Sequence, residues 1–146
     1  MPKIMIVYHS RTGNTRKMAD LIAEGARSRE GTEVELVEAA KVNMDNVVSA
    51  DGLAIGSPDY YSYMCGQLKI FFDEAYFAAA KLKGKPYVAF VSHGGGGSAL
   101  DSIDRLASSI GLKRVAPGVK CQGAPRNESA EECRKLGRAL ADAVKT

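Results

Sequence analysis

The sequence predicts an α/β fold of three layers, a five-stranded parallel sheet with helices on both faces. Three observations carry that prediction. Residues 4–8 (Ile-Met-Ile-Val-Tyr) and 87–91 (Tyr-Val-Ala-Phe-Val) are apolar without a break, as in strands covered on both sides. Between and after them, apolar residues recur every three or four positions, the period of a helix with one buried face. Strand and helix patterns alternate along the whole chain, which is the order of a parallel sheet wrapped by crossovers.

The first strand covers 4–8, and a polar stretch at 9–15 follows it. Met18, Leu21, Ile22 and Ala26 then form a helical stripe that Gly31 stops. Residues 33–38 alternate Glu-Val-Glu-Leu-Val-Glu and suit a more exposed strand near an edge. A short helix fits 43–48, and a third strand fits 51–56, ending at Gly56. Leu68, Phe72, Ala75 and Ala79 give the next helix, punctuated by Gly84 and Pro86 before the strand at 87–91. Ser98 and Asp101 read as the capped start of a helix carrying Leu100, Ile103, Ala107 and Ile110, with Gly111 as its stop. A fifth strand lies near 118–122. Ser129-Ala130-Glu131-Glu132 reads as a second capping box, ahead of a terminal helix with Cys133, Leu136, Leu140 and Val144 inward.

Length and composition limit the function classes. The 146 residues read as one domain, 1–146, large enough to fold without staples. Hydrophobic content is 45% and charged content 25%, ordinary for a globular chain. No stretch approaches the ~20 apolar residues of a membrane span. The N-terminus shows no cationic segment leading an apolar one, so no export signal is expected. The net charge of +3 is spread out, and no block resembles a nucleic-acid arm. Cys65, Cys121 and Cys133 are odd in number and lack metal spacing, and His9 and His93 complete no metal set. Neither a disulfide framework nor a metal site is expected, and the expected location is the cytoplasm.

Ligands of such sheets bind beyond the carboxyl ends of the strands, so the loops at 9–15, 56–65 and 92–98 are the candidates. The first reads Ser10-Arg11-Thr12-Gly13-Asn14-Thr15. Three hydroxyls and an amide fall within six residues at a helix N-terminus, where free N–H groups and the dipole attract anions. Gly13 permits close backbone approach. The turn lacks the several glycines of a dinucleotide fold and the GxxxxGK[ST] of a P-loop. It matches the pattern [ST]-x-T-G-x-T, and on this motif the chain resembles the flavodoxin family over nearly its whole length. The resemblance implies the flavodoxin-like strand order 2-1-3-4-5 and FMN as cofactor. It implies that this loop binds the cofactor, with Ser10, Thr12, Gly13, Asn14 and Thr15 on the 5′-phosphate and Arg11 beside them.

The other two loops are expected to face the flavin ring. Ser57-Pro58-Asp59-Tyr60-Tyr61-Ser62-Tyr63 brings three of the six tyrosines together, and aromatic faces stack on a flat conjugated ring. Asp59 is open to two readings, a charge near the ring or a turn residue. Ser92-His93-Gly94-Gly95-Gly96-Gly97 lets backbone amides reach the ring edge. Cys65, beside the second loop, reads as packing. The chain also departs from common flavodoxins. It has no Trp, carries no Gly between Gly56 and Gly66, and is mildly basic. Gly56-Ser57-Pro58 and Gly66-Gln67-Leu68-Lys69 with Phe71-Phe72-Asp73 look more like the quinone-reductase branch, the tryptophan-repressor-binding-protein type, although the chain is too short for the insertions of that branch.

The expected function is therefore an FMN-binding, flavodoxin-like electron-transfer protein working between redox partner proteins. The alternative is an FMN-dependent NAD(P)H:quinone oxidoreductase acting on NAD(P)H and a quinone. No side chain is singled out as catalytic, because the flavin does the chemistry.

Overall fold

The computed structural model describes residues 1–145. β1 (Lys3–Tyr8) lies between β2 (Glu33–Glu38) and β3 (Gly52–Tyr60), parallel to both, and β5 (Pro86–His93) follows on the far side of β3. The side chains obey the two-residue period of strands. Met5, Val7, Leu53, Ile55, Ala89 and Val91 face one apolar layer. Ile4, Ile6, Tyr8, Ala54, Val88 and Phe90 face the other. The first layer is closed by α3 (Gly66–Tyr76) and α5 (Ala99–Ser109), the second by α1 (Asn14–Arg27) and α6 (Glu128–Val144). α2 (Met44–Ser49) and the short α4 (Ala79–Leu82) close the first layer at Val47 and Leu82. Each large aliphatic or Phe side chain held there stabilises the fold by roughly 1.5–3 kcal/mol.

The sheet order is β2-β1-β3-β5, with the remaining edge shared by two short strands. β6 (Lys113–Arg114) pairs with Pro86 and Tyr87, and β7 (Val119–Gln122) pairs with Phe90 to His93. Together they take the fifth place in the expected order 2-1-3-4-5. The sequence shows only the second of them, near 118–122. The break falls at Val115-Ala116-Pro117-Gly118, where Pro117 has no N–H for the ladder. A side chain on Gly118 would stand 2.8 Å from the Ala89 carbonyl oxygen, so the chain presses too close there for anything larger.

Three further expectations change. The third strand does not stop at Gly56. It runs on to Tyr60 and folds back as a hairpin with β4 (Tyr63–Met64), Asp59 opposite Met64 and Tyr60 opposite Tyr63. The stripe from Leu68 to Ala79 is two helices, α3 and α4, broken by the turn at Phe77 and Ala78. Both capping boxes fail. Ser98 makes no side-chain cap on α5, and Ser129 sits inside α6, its hydroxyl donating to the Arg126 carbonyl oxygen at 3.0 Å.

α1 and α6 cross with their backbones in contact. A Cβ on Gly25 would stand 2.0 Å from the Arg134 carbonyl oxygen, and one on Gly137 2.0 Å from that of Ile22. Glycine in a helix interior costs about 1 kcal/mol against alanine, so this crossing outweighs local propensity twice. Gly137→Val is expected to lower unfolding free energy by about 3 kcal/mol, because overpacking must push the helices apart. Urea unfolding of the flavin-free protein measures it.

All three cysteines are buried and unpaired. Burial pushes the Cys133 thiol up to about 12, with Cys121 and Glu132 adding to the rise. Thiolate is the reactive form, so iodoacetamide at pH 8 is expected to leave Cys133 unlabelled until the chain unfolds. Mass spectrometry before and after adding denaturant checks this.

Candidate functional site

Strand order reverses beside β1: the chain passes outward to β2 and then returns across β1 to β3 and β5. At the carboxyl ends of these strands lies a cleft of about 430 Å³. Thr12, Asn14, Pro58, Asp59, Tyr60, Ser92, His93 and Gly94 line it, together with Gln122 and Gly123. Residues from all three candidate loops thus meet in one place. Gln122 and Gly123 were missed by sequence reasoning. The loop after the fifth strand obeys the same carboxyl-end rule, so the signal for them was present.

The first loop is organised around Ser10. Its Oγ accepts from the Gly13 N–H at 3.1 Å and the Arg16 N–H at 3.2 Å, which leaves its own proton free to donate. Gly13 stands at φ 101 as the N-cap of α1, with no side-chain cap and open space where a Cβ would lie. The N–H groups of Thr12, Asn14 and Thr15 donate to no acceptor among the described residues. A helix end with unpartnered donors facing a cleft is a place for an anion. Arg11 is exposed and does not line the cleft. Arg16 turns back to donate to the Tyr8 hydroxyl at 2.6 Å and pairs with Asp20.

Thr15 is buried, and its hydroxyl shares a 2.7 Å hydrogen bond with that of Ser92 on β5. The bond ties the start of α1 to a strand two places across the sheet. When Ser92 is the donor, the Thr15 proton remains available to a ligand oxygen.

The second loop is the β3–β4 hairpin. Of its expected ligands, Pro58, Asp59 and Tyr60 line the cleft. Ser57 is fully buried, donates to the Pro58 carbonyl oxygen at 2.6 Å and accepts from the Cys65 N–H at 2.9 Å, so its hydroxyl serves the hairpin. Tyr61 and Ser62 form the tip, at φ 57 and 64, and Tyr63 stands on β4, exposed and outside the cleft lining. Asp59 is a turn residue: one carboxylate oxygen accepts from the Ser62 N–H at 2.8 Å, the other from the Ala99 N–H at 3.0 Å. The second bond supplies the cap of α5 that Ser98 does not.

The third loop is fastened to β7. The Gly123 N–H donates to the His93 carbonyl oxygen at 3.0 Å, and the Gln122 amide donates to that of Gly94 at 3.2 Å. Gly94, Gly95 and Gly96 have open space at their Cβ positions. Gly97 is buried at φ 87 against Lys120 and His93 and does not line the cleft, and neither do Gly95 and Gly96. The Nδ1 atom of His93 is buried without a partner. A cleft with unpartnered N–H groups at one end fits a ligand that carries a phosphate.

A family model described as Flavodoxin matches residues 6–137. The chain belongs to the flavodoxin family. A flavodoxin of Aquifex aeolicus is 38% identical, with 99% of this chain and 88% of that protein covered. A solved structure of a flavodoxin from the domain Archaea superposes with a TM-score of 0.91 at 30% identity, over 99% of both chains. An NAD(P)H dehydrogenase (quinone) of Chromohalobacter salexigens is 28% identical over 83% of this chain and 74% of its own. Family membership bears out FMN as the cofactor and electron transfer as the function. Among the described residues, no helix is long and apolar enough to cross a membrane.

Thr15→Val is expected to destabilise the flavin-free protein by about 1–3 kcal/mol, the cost of leaving the buried Ser92 hydroxyl without its partner. Pairing it with Ser92→Ala is expected to recover part of that loss. Thermal unfolding of the two single variants and the double variant measures both effects.

Proposed function

We propose that the cleft holds FMN with its phosphate at the N-terminus of α1 and its ring between the hairpin and the β5–α5 loop, and that the protein passes single electrons between redox partner proteins. The observation that carries this reading is the pair of unpartnered N–H donors of Thr12 and Asn14, residues that line the cleft at the start of α1. Ser10 and Thr12 add hydroxyl donors, and Gly13 lets the phosphate approach the backbone. Arg11 adds an exposed positive charge to the same loop. Pro58 and Tyr60 bound the ring on one side, and Ser92, His93 and Gly94 on the other. The flavin accepts and releases the electrons, while the chain binds it, orients it and limits its contact with water. Three buried, unpaired cysteines support a reducing compartment, and we place the protein in the cytoplasm.

A visible spectrum of the purified protein tests the reading. A flavin absorption band, or its recovery on adding FMN, is expected; a colourless protein that takes up no FMN overturns it. A reductase of NAD(P)H and quinone is the second reading, favoured by the quinone-dehydrogenase relative. Oxidation of NAD(P)H with benzoquinone separates the two, since a carrier is expected to turn over below ~1 s⁻¹, the low end of ordinary enzymes.

Thr12→Val is expected to weaken FMN by about tenfold or more and to leave riboflavin unchanged. A hydrogen bond to a charged group is worth about 1.5–3 kcal/mol, and riboflavin has no phosphate to lose it. Fluorescence titration with both flavins reads the difference, and equal losses place the phosphate elsewhere. With no glycine between Gly56 and Gly66, any peptide turned toward the flavin in this hairpin carries the steric cost of a side chain. The two one-electron potentials are therefore expected to lie closer together than in family members with glycine there, as a stepwise reductive titration would show.

A further inference from the structure

The hairpin beside the cleft adopts a turn that its sequence disfavours. A two-residue connection with positive φ at both positions is the mirror-image turn that Asn-Gly or Asp-Gly ordinarily fills. Here Tyr61 stands at φ 57 and Ser62 at φ 64. Tyr61 is fully exposed, so no packing of its ring holds the turn. β4 adds only two residues of ladder. Something else must keep the tip in place.

We propose that Asp59 is a positioning residue, which clamps the hairpin in its left-handed turn by tying it to the first turn of α5. This rests on the proposed FMN cleft. The two carboxylate oxygens divide the work. One takes the Ser62 N–H inside the turn, and the other takes the Ala99 N–H, 40 residues further along the chain. α5 is itself anchored in the core through Ala99, Ile103 and Ala107. Ser102 makes a second tie from the same helix: its Oγ accepts from the Met64 N–H at 3.0 Å and donates to the Ala99 carbonyl oxygen at 2.6 Å. Ser102 holds the base of the hairpin, Asp59 its tip. Each carboxylate oxygen accepts from a backbone N–H, so Asp59 acts on the hairpin, and through it on where Pro58 and Tyr60 meet the ring.

Asp59→Ala in the full chain tests the clamp. Exchange of the Ser62 amide in the flavin-free protein is expected to quicken at least tenfold, and the affinities for FMN and for riboflavin to fall by one common factor of about ten. A common factor marks the ring side of the cleft, in contrast to the FMN-only loss expected at Thr12. The deciding variant adds Tyr61→Asn and Ser62→Gly to Asp59→Ala. Asn-Gly takes this turn without help, so flavin affinity is expected to return toward wild type, while the amide at position 62, still without its acceptor, stays fast. Asp59→Asn, which keeps one acceptor, is expected to fall between and serves if the alanine variant does not fold. Unchanged Ser62 exchange overturns the clamp. Flavin affinity that Asn-Gly does not restore overturns it too, because Asp59 would then act by direct contact. A wild-type protein that binds no flavin defeats the proposed function instead, and the exchange measurement still decides whether Asp59 holds the turn.

Discussion

The site depends on the close crossing of α1 and α6. Gly25 packs against the Arg134 backbone and Gly137 against that of Ile22, so α1 and α6 cross closely, and the N-terminus of α1 follows the carboxyl end of β1 through the first loop. The buried hydroxyl pair of Thr15 and Ser92 then fixes that end against β5. A helix held at both places cannot slide along the strands without breaking one contact or the other. The first turn thereby stands at the reversal point of the sheet, with Thr12 and Asn14 in the wall of the cleft.

The loops around the cleft are shaped by small polar side chains used internally. Ser10 gathers the first loop, Ser57 and Ser102 hold the base of the hairpin, Asp59 holds its tip, and Gln122 fastens the glycine loop. Each such bond adds only about 1 kcal/mol net, but at the buried ones, Ser57 with Cys65 and Ser102 with Met64, losing one partner leaves a buried polar group that costs more. Conformation is therefore held by interactions whose value lies mostly in the penalty for their loss. The surface ion pairs work differently. Pairs such as Lys69 with Asp73 and Arg29 with Asp142 are largely exposed, where such contacts contribute little. Stability comes from the two apolar layers, and the hydrogen bonds decide which loop shape accompanies it.

The sequence by itself determined the layers and, through the resemblance of its first loop to the flavodoxin pattern, the cofactor. Unbroken apolar stretches at 4–8 and 87–91 can be buried only between two helical layers. A hydroxyl-rich turn around Gly13 is legible because its chemistry lies within six consecutive residues. Only the tertiary structure decided the rest, because the partners lie far apart in sequence. Ser98 looked like the cap of α5, yet the cap comes from Asp59, which no local window contains. Gly25 and Gly137 are poor helix residues one at a time and make sense only against each other's helix. Gln122 and Gly123 reached the cleft through the pairing of β7 with the end of β5. The hairpin was hidden for the opposite reason: Tyr61-Ser62 carries none of the residues that favour its turn, and the structure overrides that preference through hydrogen bonds to a distant helix.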